Sequence, residues 1–251
     1  MNNSAKDISN ASYINVAICG LTKEEIVGKY DKSLGLDFFE ICTLQENCLD
    51  ALIRIEIDKI PIDKVKVAIA DILSPYQRYI YSMTYDNDSP KKLAEVLFDY
   101  LEITQNKLGV AESLTGGMIA SEIISVGGAS KYFMEGIVAY DNQAKMRCLG
   151  VRENTLNQHT AVSPEVAYQM AQGMLDSPYL SFAISTTGYA DSNDICVPAG
   201  LVYIGIGDRR KIDVHKLNLT GSRNEIRKKV TNMAIYYAIK RLKGNFDIND
   251  Y

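Results

Sequence analysis

Residues 108–117 read LGVAESLTGG, and the short apolar run Leu108-Gly-Val-Ala111 breaks at Glu112-Ser113 into Thr115-Gly116-Gly117. Met118-Ile-Ala-Ser-Glu-Ile-Ile124 follows with apolar residues at helical spacing, so the stretch predicts a strand that turns sharply into a helix at Ser113. Such a junction points unpaired backbone N–H groups and the positive end of a helix dipole at whatever precedes it, and paired glycines admit a ligand close to the backbone. Ser113 there can serve as a nucleophile beside an oxyanion or phosphate site. Equally, Ser113 or Thr115 can be an ordinary N-cap that satisfies helix donors.

Working outward, Val126-Gly-Gly-Ala-Ser130 reads as a turn and Phe133 to Ala139 as a strand ending at Tyr140. Asp141 or Asn142 can cap the next helix, which carries Lys145 and stops at Gly150. If this strand neighbours the one ending at Ser113, Tyr140 and Lys145 approach the serine at one edge of the sheet, where ligands bind open α/β folds. A serine hydroxyl attacks only when something removes its proton. A lysine kept neutral by desolvation can do so, and a tyrosine can relay the proton or orient the serine. A capped helix, a strand-end tyrosine and a solvated lysine would give the same spacing.

Composition bounds these readings. The 251 residues are 47% apolar and 23% charged with both signs interspersed, which fits a globular chain with a sizeable core. A formal charge of −4 argues against broad nucleic-acid binding. No apolar run approaches the roughly 20 residues that span a bilayer, and the polar start MNNSAKDISNAS lacks a signal-peptide core, so a cytoplasmic protein without a membrane partner is expected. The five cysteines (19, 42, 48, 148, 196) have no Cys-x-x-Cys spacing and read as reduced, mostly buried thiols. With only His159 and His215, far apart, neither a zinc site nor a Ser-His-Asp triad is expected.

In chain order, residues 1–12 read as a loose tail. Tyr13 to Tyr85 follows as strand (13–19), helix (22–33), strand (36–43), strand (51–57), helix (61–73) and strand (79–83), a βαββαβ order of split βαβ type. The polar break Tyr85-Asp-Asn-Asp-Ser89-Pro90 predicts a boundary, with a small α+β domain over 13–87 and a layered α/β/α domain with a mixed sheet over 88–251. Ser89 and Pro90 can open the helix carrying Leu93, Val96, Leu97, Tyr100 and Leu101. Further elements are a helix opened by Ser163-Pro164-Glu165, a strand over 180–186, a hairpin from strands 200–207 and 211–219, and a final helix opened by the capping box Ser222-Arg223-Asn224-Glu225.

Several segments together are similar to one family. Ala111-Glu-Ser-Leu-Thr-Gly-Gly117, Val126-Gly-Gly-Ala-Ser130, Ile137-Val-Ala-Tyr-Asp-Asn-Gln-Ala-Lys145, Leu149-Gly-Val151, Ala161-Val-Ser163 and Met170-Ala-Gln-Gly173 resemble, in order and spacing, the C-terminal domain of CinA-type competence/damage-inducible proteins, over about residues 88–243. That resemblance implies a nicotinamide mononucleotide deamidase, which hydrolyses the pyridine carboxamide to the carboxylate and releases ammonia. It implies Ser113 as nucleophile, Lys145 as base and Tyr140 as assisting hydroxyl, with no metal or cofactor and a homodimeric assembly. Thr115, Gly116, Gly117, Asn142, Thr187, Gly188 and Arg223 are the expected substrate contacts. Physically, amide hydrolysis needs donors at the developing oxyanion, which backbone 114–117 can supply. A nucleotide substrate also calls for an arginine, and Gly221-Ser-Arg223 with Arg227 resembles the family's Gly-x-Arg-x-x-x-Arg element. Residues 13–85 resemble the small KH-type domain preceding the catalytic domain in longer members, and the larger nucleotide-processing domain that usually comes first is expected to be absent.

One segment departs from the family pattern. Where the family has Thr-Gly-Ile-Ala-Gly-Pro, this chain reads Thr187-Gly-Tyr-Ala-Asp191-Ser192, with Asp194 close behind. The change removes backbone freedom and adds carboxylates that would repel a phosphate if they faced the pocket. Leu114 stands where cysteine is usual. The alternative expectation is therefore a catalytically weak or inactive ligand-binding or assembly protein. A nucleotide-dependent dehydrogenase fits poorly, since Gly205-Ile-Gly207 lacks a third glycine.

Overall fold

The computed structural model describes residues 11–29, 39–43, 49–57, 64–86, 88–191 and 199–244. The chain divides into two compact units, Met1–Lys92 and Leu93–Tyr251.

In the first unit, β1 (Tyr13–Cys19), α1 (Lys23–Lys29), β2 (Phe39–Thr43), β3 (Asp50–Glu56), α2 (Val65–Leu73) and β4 (Ile80–Tyr85) follow in order, with a 3-10 turn over Ser74–Tyr79 before β4. A reciprocal capping box opens α1. Thr22 N donates to Glu25 Oε2 at 2.8 Å, and Glu25 N donates to Thr22 Oγ1 at 3.2 Å. The sheet order is β2-β3-β1-β4 with every neighbour antiparallel, so β3 lies between the parallel pair β1 and β2 and the split βαβ reading holds. Ile14, Val16, Ile18, Ile53, Ile55 and Ile72 bury a branched aliphatic core, and the Tyr76 hydroxyl donates to Ile26 O at 2.8 Å so that its buried oxygen is not left unpaired. The expected helix end at Ser33, the strand start at Leu36 and the helix start at Pro61 lie outside the described residues.

The second unit contains α3 (Leu93–Thr104), β5 (Leu108–Glu112), α4 (Met118–Ile124), β6 (Phe133–Val138), α5 (Asn142–Leu149), α6 (Glu153–His159), α7 (Pro164–Leu175), β7 (Phe182–Gly188), β8 (Leu201–Asp208), β9 (Lys211–Asn218) and α8 (Arg223–Gly244). Its five strands form one mixed sheet in the order β6-β5-β7-β8-β9. β5 runs parallel to both neighbours, and β7, β8 and β9 are antiparallel in turn. Helices α3, α4 and α8 pack together, as do α5, α6 and α7, and both α7 and α8 lie on β7 and β8. The alternation of β7 separates the two layers. Ser185 Oγ donates to Ala167 O of α7 at 2.6 Å, and the next residue, Thr186, meets Thr115 beside α4. The expected layered α/β/α arrangement with a mixed sheet is the one observed. Among the described residues no helix is long and apolar enough to cross a membrane.

Several boundaries differ from expectation for identifiable reasons. Ser89-Pro90 does not open a helix, because α3 begins at Leu93 and Lys91 N instead donates to Ser82 Oγ at 3.1 Å. The helix expected from residue 115 begins at Met118, because Gly116 and Gly117 adopt φ of +59° and +92°, left-handed values that end a turn rather than start a helix. Strand β7 runs two residues further than expected, to Gly188, which continues the pairing with Val202. Helix α6, ENTLNQH, has no apolar periodicity to signal it, since Leu156 is its one large apolar residue. Of the cysteines, expected to be mostly buried, Cys19 is buried and Cys148 is exposed on α5.

Candidate active site

The pairing of β5 with β6 sets the geometry. Their parallel register matches Glu112 with Val138, and Ala139 N donates to Glu112 O at 2.8 Å, so Ser113 and Tyr140 leave the sheet at the same edge. On the other side Ser113 N donates to Thr186 O at 3.0 Å, which holds the serine backbone between β6 and β7. Helix α5 then brings Lys145 back over this edge. Asp141 caps it by accepting from Gln143 N at 2.8 Å, and Gly150 closes it at φ +63°.

Lys145 is 1% exposed, and its Nζ has three oxygen neighbours: Ser113 Oγ at 3.1 Å, Ala139 O at 3.0 Å and Tyr140 O at 2.9 Å. Burial pushes its ammonium below the ordinary lysine value of 10.5, an effect opposed by the nearby Asp141 carboxylate. The coordination distinguishes the two protonation states. As an ammonium, Nζ donates to all three oxygens. As a neutral amine, it spends its two protons on the carbonyls and turns its lone pair to the Ser113 hydroxyl. The two carbonyls therefore aim the base at the serine.

The loop after Ser113 is held from two directions. Glu112, 1% exposed, accepts from Gly117 N at 2.9 Å and Ile119 N at 3.2 Å through Oε2, and from Ala120 N at 2.9 Å through Oε1. Its carboxylate thus takes the N-terminal donors of α4 that a ligand anion would otherwise use. Gly116 N is also spent, donating to Ser113 O at 3.1 Å. The expected donor set of residues 114–117 narrows accordingly to Leu114 and Thr115, whose N–H groups have no partner among the described residues. From α8, Arg227 Nε donates to Leu114 O at 2.9 Å and its Nη2 to Thr115 O at 3.1 Å. Because a peptide is planar, the grip on Leu114 O fixes the plane that carries the Thr115 N–H, and the grip on Thr115 O fixes the plane of the already spent Gly116 N–H. Arg227 thus pre-sets one of the two unpaired donors, as an oxyanion site requires.

At the outer rim, Arg223 donates to Asp191 Oδ2 at 2.6 Å and to the Tyr140 hydroxyl at 3.2 Å. Tyr140 is 63% exposed. Its carbonyl, rather than its hydroxyl, meets Lys145, and the hydroxyl faces Arg223, so the structure does not bring the Tyr140 hydroxyl to Ser113. The altered segment of residues 188–197 is described through Asp191, and Asp194 lies outside the described residues.

Other expected contacts have structural partners. The Thr115 and Thr186 hydroxyls, both fully buried, share a hydrogen bond of 2.9 Å, and Thr187 Oγ1 donates to Ala161 O at 2.6 Å. A Cβ at Gly188 would come within 2.7 Å of Val202, so this glycine serves packing against β8. Asn142 is the exposed first residue of α5. Neither histidine approaches Ser113, since His159 pairs with Glu165 at 3.6 Å and His215 stacks on Tyr237 with centroids 4.1 Å apart. Among the described residues no group of three or more His, Cys, Asp or Glu side chains could hold a metal.

Sequence reading missed Glu112 as the ligand of the α4 donors and Arg227 as the clamp. An acidic residue at the end of a strand, a few positions before a glycine pair and a helix start, is a usable signal for the first. Arg227 stands out in the sequence only as part of the Gly-x-Arg-x-x-x-Arg element, and nothing local points to its contact with Leu114, 113 positions away.

Residues 90–242 match the CinA C-terminal domain family. A competence-damage inducible relative from Clostridium kluyveri is 43% identical over 160 residues, 63% of this chain and 39% of its own length. A CinA-like protein of Kosmotoga olearia is 40% identical over 166 residues, 65% of this chain and again 39% of its own length. The chain thus spans about two fifths of these relatives. Among solved structures, the competence/damage inducible protein CihA from Agrobacterium tumefaciens superposes with a TM-score of 0.57 at 33% identity, covering 60% of this chain and 93% of that one. The competence damage-inducible protein A from Klebsiella pneumoniae gives 0.58 at 26%, covering 60% and 95%.

Proposed function

The chain belongs to the CinA family through the C-terminal domain at residues 90–242, and from this we propose that it is an amidohydrolase that deamidates nicotinamide mononucleotide with Ser113 as nucleophile and Lys145 as base. The observation that carries this reading is the buried Lys145 amine 3.1 Å from Ser113 Oγ, with two main-chain carbonyls fixing its other directions. Neutral Lys145 takes the Ser113 proton as Oγ attacks the carboxamide carbon. The resulting oxyanion is received by the Leu114 and Thr115 N–H groups, the second of which lies in the peptide that Arg227 holds through Leu114 O. Lys145 then returns the proton to the amide nitrogen, the C–N bond breaks, and ammonia leaves an ester on Ser113. Water, deprotonated by the same amine, hydrolyses that ester to nicotinate mononucleotide and free serine.

Tyr140 in this reading lends its carbonyl to aim Lys145 and its hydroxyl to the rim, where it accepts from Arg223. Incubating purified protein with nicotinamide mononucleotide and measuring ammonia and the carboxylate product is the test. Equal amounts of both from the unaltered protein, and neither from Ser113→Ala, support the proposal; an inert but folded unaltered protein removes it. A second reading, a weakly catalytic ligand-binding or assembly protein, is favoured by one observation: the cation expected to meet a substrate phosphate is already paired with Asp191.

A further inference from the structure

The pair at the rim points to selectivity. Arg223 Nη1 lies 2.6 Å from Asp191 Oδ2, and the two side chains remain 45% and 39% exposed. Tyr140 joins the rim to the reacting centre, since its hydroxyl accepts from Arg223 and its carbonyl accepts from Lys145. Arg223 is thus one tyrosine away from the proposed base, well placed to meet the far end of a substrate whose amide sits at Ser113.

We propose that Asp191 is a specificity-determining residue that neutralises Arg223 and thereby removes the site's preference for amides bearing a phosphate over the same amides without one. The proposal rests on the amidohydrolase reading for the identity of its ligands. Its physical basis is simple. A phosphate approaching the guanidinium must displace a carboxylate already in contact and must then remain beside that carboxylate, so attraction and repulsion nearly cancel. Because the pair is solvent-exposed, the surrounding water lets either partner exchange at little cost. Selectivity, rather than stability, is what the carboxylate alters. An Arg223 free of Asp191 would favour the phosphate by the modest margin that an exposed ion pair provides. Paired, the site is built for a nicotinamide nucleoside as readily as for its nucleotide.

Calorimetric binding of nicotinamide mononucleotide and of nicotinamide riboside to Ser113→Ala protein, which cannot turn either over, tests this. With Asp191 present, the two ligands are expected to bind within about threefold of each other; Asp191→Asn is expected to raise the nucleotide-to-nucleoside affinity ratio by about fivefold or more at low salt. The gain should shrink as salt is added, recur in Asp191→Gly, and vanish when Arg223→Gln is combined with Asp191→Asn. A ratio unchanged by Asp191→Asn, or no nucleotide binding in either background, overturns the proposal. Ammonia release by the protein that retains Ser113 is read separately. Absence of hydrolysis with a shifted ratio retires the amidohydrolase reading and keeps the role of Asp191, whereas hydrolysis with an unshifted ratio does the reverse.

Discussion

Lys145 is the residue on which most depends. A fully buried amine whose ammonium is disfavoured by desolvation should act as a base at a pH below that of an ordinary lysine. The value of kcat/KM for ammonia release is therefore expected to rise with pH along a limb whose midpoint lies below 10.5, the ordinary lysine value; a limb at or above 10.5 would refute the depressed amine. Stability follows the same linkage. Between the folded pKa and the unfolded one, the unfolded chain binds the extra proton, so stability rises with pH through that window. Below the folded pKa, both states are protonated and the cost of burying the ammonium is paid in full. Denaturant midpoints of the unaltered protein should climb more steeply with pH toward 10.5 than those of Lys145→Met; parallel curves would sink the assignment. At this scale the spacing left two readings open, a serine approached by a lysine or a capped helix with a solvated lysine, and the buried Lys145 in contact with Ser113 matches the first arrangement. Asp191 was legible as a departure, yet its contact with Arg223, 32 positions away, was not. Chain separation hides such pairs until the sheet order is known.

Elements hold those residues in place through two contacts that invite mutation. Glu112 accepts from three backbone donors around the start of α4, and Glu112→Gln leaves one acceptor oxygen and an NH2 group facing donors. A loss of about 1–3 kcal/mol in unfolding free energy is expected by chemical denaturation, whereas Glu122→Gln on the exposed side of the same helix should change little. Equal effects would deny Glu112 its structural role. Helix α5, which carries Lys145, meets α7 where a Cβ at Gly173 would sit 2.0 Å from Leu149 O. Gly173→Ala must push the helices apart, so a loss of about 1–3 kcal/mol together with reduced ammonia release is expected; unchanged rate with lowered stability would show that α5 shifts without moving Lys145. Strand periodicity and caps such as Asp141 and Ser163 made most elements readable in advance. Ser163 Oγ accepts from Val166 N at 3.3 Å, as its Ser-Pro-Glu context suggests. The start of α4 was misread because two left-handed glycines, invisible to hydrophobic periodicity, lengthen the turn after Ser113. That same lengthening lets the Glu112 carboxylate reach the helix donors.

The whole chain comprises two units that divide between Lys92 and Leu93, whereas the polar run 85–90 suggests a division at 87/88. Two solved chains are covered to 93% and 95% by a match that takes in 60% of this chain. A fragment of residues 93–251 is accordingly expected to unfold in one cooperative transition and to retain ammonia release within about twofold of the full chain. A fragment that folds but loses most of the rate would assign the first unit a part in catalysis. Sheet order was the feature of the second unit least accessible from sequence. The strand ending at Ser113 could be placed beside the one ending at Tyr140 only conditionally, and the parallel register of Glu112 with Val138 supplies the condition. The most direct test of the Ser113–Lys145 unit is the rate of ammonia release from nicotinamide mononucleotide across a double-mutant cycle of Ser113→Ala and Lys145→Ala. If the two act as one unit, each single variant should lose roughly 10²- to 10⁴-fold and the double variant no more than the worse single. Full activity in either single variant, or losses that multiply in the double, would contradict it.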